Sequence, residues 1–139
     1  METKAILEKP YTEQERLDFI VEYNHNLGYE IKEAETALEA WGDTEEELAY
    51  KEKERVGKLF LTAADVERGI YKAKKITFEM LISQLQDNEE IDIEELKIEL
   101  KANHFYRGNP YVSMIGSILG FTEEQLDKFF EDGNYEHLL

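Results

Sequence analysis

Apolar residues recur along the chain mostly at helical spacing, and start and stop signals bracket most of the runs. Leu17, Phe19, Ile20, Val21 and Tyr23 follow a capping box made by Thr12 and Glu15, with Gly28 as the stop, and predict a first helix. Residues 1–11 read as an arm, because Pro10 disfavours helix at Lys9. From Tyr29 to Trp41 two periods compete. Ile31, Ala34, Leu38 and Trp41 suit a helix, whereas Tyr29 with Ile31 and then Thr36, Leu38 and Ala40 suit a short β-hairpin, the slightly preferred reading. Thr44 and Glu47 make another capping box, and Glu45, Glu46 and Glu47 sit where the positive end of a helix dipole welcomes negative charge. The middle of that helix, Tyr50 to Arg55, is polar, so it is expected to face solvent while burying Leu48, Val56, Leu59 and Phe60.

The second half continues in the same style. Thr62 with Asp65 caps a helix to about Lys74 that turns Val66, Ile70 and Tyr71 inward; Thr77 caps one carrying Phe78, Met80, Leu81, Ile82 and Leu85. Asp92 caps Ile93 to about His104, with Leu96, Leu100 and Phe105 at helical spacing. Asn109 and Pro110 open a helix to Leu119, Gly120 can close it in the left-handed conformation, and Thr122 with Gln125 opens Glu123–Glu131 before Gly133 ends the order. The expected fold is mainly α: a compact bundle of six or seven short helices, a helix-turn-helix-like C-terminal pair, and at most a short β-hairpin around 29–41. A single domain, 1–139, is expected, divided into the arm 1–11, N-terminal helices over 12–60 and a C-terminal helical part over 62–139.

Charge changes what that C-terminal pair can do. The chain carries 32 acidic and 16 basic side chains, a net charge of −16, and residues 1–60 and 61–139 each hold 16 acidic against 8 basic. In a DNA reader the second helix would enter the major groove and meet phosphate. Here it offers Glu123, Glu124, Asp127, Glu131 and Asp132 against Lys128, so repulsion opposes DNA docking and a protein-binding or scaffolding face is expected. The same field disfavours anionic membranes and favours a partner protein with a basic surface. The chain has no cysteine, which excludes disulfides and thiolate chemistry. No apolar run is long enough to span a bilayer and the first residues lack a signal-peptide core, so a soluble product made inside a cell is expected.

A catalytic set is hard to assemble from these residues. His25, His104 and His137 are far apart and in no metal-ligating spacing, and no nucleophile elbow, phosphate loop or dinucleotide fingerprint occurs. Asp87-Asn88-Glu89-Glu90-Ile91-Asp92 imitates a calcium loop but places Ile91 at the fifth position and Asp92 where glycine is needed. Neither a metal nor a cofactor is expected. The candidates are therefore protein-contact residues: the acids of the last helix, the triplet Glu45, Glu46 and Glu47, and Tyr106, Arg107 and Tyr111 in the aromatic stretch Phe105–Tyr111. For that stretch the preferred alternative is an inter-helix corner, with rings in the core and Arg107 paired with a carboxylate.

Two segments together carry a resemblance. Lys9-Pro10-Tyr11-Thr12 with Asp18–His25, and Phe105–Pro110 running into Ile115-Gly116, Leu119-Gly120, Thr122, Leu126-Asp127 and Phe130, resemble small acidic phage and prophage proteins of Gram-positive bacteria, often encoded near tail and lysis genes. The likeness implies a host bacterial cytoplasm, or association with the virion, and no activity that transfers residue by residue. The leading expectation is a non-enzymatic accessory or tail-associated protein acting through protein contacts. The alternative is an acidic DNA mimic that blocks a host defence nuclease of the restriction or RNA-guided type. Oligomeric state stays open.

Overall fold

Strands open the chain and also interrupt its helices. A computed structural model describes all residues from Met1 to Leu139 and divides them into two compact units, Met1–Glu52 and Lys53–Leu139.

The N-terminal unit is built on a three-stranded antiparallel sheet. Strand β1 (Glu2–Glu8) leads to helix α1 (Glu13–Ile20), which runs on as a π-helical turn over Val21–Asn26, and then to β2 (Glu30–Glu33), β3 (Ala37–Gly42) and the first part of α2 (Glu45–Gly57). The strand order is β1-β3-β2, with Leu7 and Glu33 both opposite Leu38 on the central strand and a bulge between Thr3 and Ala5. Thr12 caps α1 reciprocally with Glu15, at 3.1 Å and 3.2 Å. Phe19, Leu38 and Ala40 form the buried centre, with Leu7, Ile20, Tyr23, Tyr29 and Ile31 packed around them. Gly42 is required by close approach: a Cβ there would lie 2.7 Å from the Tyr29 ring.

The C-terminal unit holds the rest of α2, then β4 (Phe60–Thr62), α3 (Ala63–Lys74), α4 (Phe78–Leu85), α5 (Ile93–Leu100), β5 (His104–Tyr106), α6 (Pro110–Ile118), α7 (Glu123–Asp132) and a terminal 3-10 turn over Tyr135–Leu138. The strands β4 and β5 pair antiparallel as a two-stranded ribbon, with Phe60 opposite Tyr106, Leu61 opposite Phe105 and Thr62 opposite His104. Leu81, Leu96, Phe105, Leu126, Phe129 and Phe130 anchor one continuous core. The helices α3 and α7 meet where Gly69 lies under Phe129, since a Cβ at Gly69 would fall 2.5 Å from that ring.

The architecture is mixed α/β, with 56% of residues helical and 17% in two antiparallel sheets, which corrects the expected mainly-α bundle. The segment 29–41 is a hairpin, and residues 2–8 of the expected arm are its third strand. β4 and β5 arise where helix ends were expected, at Phe60 and at His104–Phe105. Three-residue strands have no measurable period, and only a partner 44 positions away in sequence makes them strands. α2 buries none of its residues, with Leu48 54% exposed and Val56 half-buried; beyond its end, Leu59 is half-buried and Phe60, on β4, is 58% exposed. The turn after Gly133 is ordered by Leu138, which is buried, so order does not end at Gly133. The remaining caps sit as expected, with Thr62, Thr77, Asp92, Asn109 and Thr122 each accepting from a first-turn amide. No helix is long and apolar enough to cross a membrane.

Candidate protein-contact surface

The acids of α7 are placed by a tight corner. α6 ends at Ile118 with Leu119 as its C-cap, Gly120 follows at φ 83°, and Phe121 N–H returns to Gly116 carbonyl at 2.8 Å, which satisfies the end of α6 and starts the turn. Thr122 and Gln125 then cap α7 in both directions, at 3.1 Å and 2.8 Å. Because Leu126, Phe129 and Phe130 turn into the core, the carboxylates project outward.

Each of those carboxylates meets a basic side chain of the same unit. Arg107 donates from Nε to Asp127 at 2.8 Å and from Nη2 to Glu123, and also donates to Ser113 at 3.0 Å. Glu124 pairs with Lys128 at 3.0 Å, Glu131 with Arg55, and Asp132 with His137 at 2.9 Å. The Arg107 hydrogen bond holds the Glu123 carboxyl below its usual range, and that of His137 does the same for Asp132. Arg107 is the one buried charged residue, only 6% exposed, and its guanidinium ties the β5 exit to α6 and α7. It occupies the inter-helix corner and presents nothing to a partner.

Other candidates are placed apart from this cluster. Glu45, Glu46 and Glu47 lie in the first turn of α2; the Glu47 carboxylate accepts from the Met1 ammonium, which lowers its pKa, and the Glu47 amide donates to Thr44 Oγ1 at 3.2 Å. Tyr111 is half-buried, and desolvation followed by a hydrogen bond to Glu95 raises its phenol pKa. No group of three or more histidine, aspartate or glutamate side chains converges as a metal site.

Tyr106 belongs to a surface that pattern reading did not assemble. On the open face of the β4–β5 ribbon, Phe60, His104 and Tyr106 pack ring on ring, with centroids 5.4 Å, 5.7 Å and 5.2 Å apart. Leu61 and Phe105 fill the opposite, core-facing side. Phe60 and Tyr106 remain 58% and 48% exposed. Three aromatic rings contiguous on a solvent-facing ribbon are an apolar patch of the kind that marks a protein contact, because tyrosine and phenylalanine bury much area at little entropic cost. The signal in the sequence was the alternation of His104-Phe105-Tyr106, which spacing alone could not separate from a helix end.

Compared with known proteins, the chain matches no family model, no curated protein and no solved structure.

Proposed function

We propose that the protein is a non-enzymatic phage or prophage accessory protein that works by holding another protein, and that the ribbon face carrying Phe60, His104 and Tyr106 is its principal contact. The observation that supports this reading most is the exposure of that ring cluster. Interface energy concentrates in a few aromatic anchors, and here three stand together on a ribbon whose far side is fixed in the core. The phage setting rests on the resemblance of Asp18–His25 and of Phe105–Pro110 with the residues that follow.

The test is affinity capture from phage-producing cells with the intact chain and with the double variant Phe60→Ser, Tyr106→Ser. The intact chain should retain a virion or assembly protein, and the variant should lose it. Both side chains are about half exposed and lose only their cross-strand ring contacts, so folding stability should change by about 1 kcal/mol per site, measured by thermal unfolding. Recovery of the same assembly proteins by both chains would remove the ribbon from the account.

A second reading, the DNA mimic, has one observation in its favour. Counted by folded unit, charge is uneven: Met1–Glu52 carries 15 acidic against 5 basic side chains, a net of −10 within 52 residues. A mimic would present this unit rather than the self-paired acids of α7. Its affinity for a nuclease would fall steeply between low and high salt, and an affinity indifferent to salt would dismiss it.

A further inference from the structure

The ribbon that carries Phe60, His104 and Tyr106 is built from the parts of the chain that lack acidic residues. Of 139 residues 32 are acidic, yet residues 55–64 and 100–122, which supply both strands, contain neither aspartate nor glutamate. They do contain Arg55, Lys58, Lys101 and Arg107. Two of these cations are engaged inside the fold, Arg55 with Glu131 and Arg107 with Glu123 and Asp127. Lys58 and Lys101 are exposed and form no ion pair.

Antiparallel pairing fixes where those two lysines stand. Lys58 leads into β4 just before Phe60, and Lys101 leads into β5 just before His104. The strands run in opposite directions, so their entry points lie at opposite ends of the ribbon and the lysines bracket the row of rings. The acids nearest in sequence do not answer them. Asp65 binds Arg68 at 2.8 Å, Glu99 adds to the desolvation that raises the Tyr111 phenol pKa, and Glu54, one helical turn before Lys58, makes no ion pair with it. Exposed charges more than about 8 Å apart are largely screened at physiological ionic strength, so a segment seated on the ribbon meets these two cations ahead of the net charge of the whole chain.

We propose that the ribbon takes an acidic segment of its partner protein, apolar side chains at the centre covering Phe60 and Tyr106 and a carboxylate at each end pairing with Lys58 and with Lys101. The assignment rests on the ribbon being the contact, and adds the chemistry of what it holds. Three residues of strand span about 10 Å, so about five to seven extended residues can seat on the rings and reach both ends. A basic segment would bring like charge to two unpaired ammonium groups. Exposed ion pairs contribute little each, so the rings supply affinity and the lysines select the sign of the charge. A single-stranded nucleic acid also joins flat groups to anions, but its unbroken phosphate charge would run on from the ribbon over the acidic remainder of the surface.

The intact protein is titrated at physiological ionic strength with three acetylated and amidated heptapeptides that share a Leu-Phe-Leu centre and carry aspartates, asparagines or lysines on both flanks, and with a thymidine dodecanucleotide. Binding is followed by the NMR shifts of the Phe60, His104 and Tyr106 rings. The aspartate peptide should shift these signals saturably and bind at least about tenfold more tightly than the lysine peptide, with the asparagine peptide between them. Lys58→Gln with Lys101→Gln should cut that preference to under about threefold, whereas Lys9→Gln with Lys32→Gln, the same charge change in the other unit, should leave it at about tenfold. Equal binding of the three peptides would overturn the acidic assignment and keep the ribbon as a contact. Ring signals that no peptide moves would remove the ribbon and this inference together. Tighter binding of the oligonucleotide than of the aspartate peptide, or equal losses of preference in the two lysine variants, would also overturn it.

Discussion

Replacing Phe129 with alanine is expected to destabilise the C-terminal unit by about 3–5 kcal/mol, the largest effect of any single substitution considered. Phe129 is 1% exposed and closes the contact between α7 and α3, where Gly69 gives its ring the space that a larger residue would take. It also packs edge-on against Phe130, centroids 5.8 Å apart. Truncation removes that ring from a core that the backbones of two helices hold open, so collapse can recover little of the loss. For a unit of this size the midpoint of thermal unfolding, followed by far-UV circular dichroism, should fall by at least about 12 °C. A fall under about 4 °C would mean that α3 and α7 do not share this core.

Arg107→Ala should cost about 2–3 kcal/mol, although every carboxylate it meets is partly exposed. The guanidinium itself is buried, and its loss leaves Ser113 and the β5–α6–α7 corner without their common donor. Glu123 and Asp127 can turn to water, at 66% and 45% side-chain exposure, which keeps the cost below that of orphaning a fully buried charge. Arg107→Met, which keeps the apolar stem, should recover part of it. The pair also fixes a pH dependence. Glu123 has a folded pKa below its ordinary 4.5, so its contribution is fully present above about pH 4.5 and is lost as acid drives the pH down through the lowered value. Urea melts at pH 7 and at a pH well below 4.5 should show this acid-sensitive component in the parent and much less of it in Arg107→Met. An unchanged acid dependence would mean that the Arg107–Glu123 contact does not set it.

Local features of the fold were legible in the sequence wherever physics is local. Capping residues mark where amides need acceptors within three positions, so Thr12, Thr62, Thr77, Asp92, Asn109 and Thr122 could be read directly, as could Gly120 at the α6–α7 corner. The missed elements depend on partners far along the chain. β1 alternates weakly because charged residues stand at both ends, and it becomes a strand by pairing with Ala37–Gly42. Phe60 looked like the buried end of α2 and is instead an exposed ring on a ribbon that closes through Tyr106.

The candidate surface changed for the same reason. Listing the acids of α7 against Lys128 alone described the helix as repulsive, since Arg107 and Arg55 lie 16 or more positions away in sequence and carry no local signal. Folded, these acids brace the unit. Charge counted over 1–60 and 61–139 looked even, whereas the folded boundary after Glu52 concentrates it in the N-terminal unit.

The proposed contact runs through the aromatic ribbon, while the α7 acids hold the fold. The most direct measurement is the equilibrium affinity of the captured partner for three chains: the parent, Phe60→Ser with Tyr106→Ser, and Glu124→Gln with Glu131→Gln. Loss of two anchoring rings should weaken binding about hundredfold, and neutralising the two α7 acids should leave it within about threefold. The opposite ranking, with the ribbon variant binding like the parent and the α7 variant failing, would contradict the account.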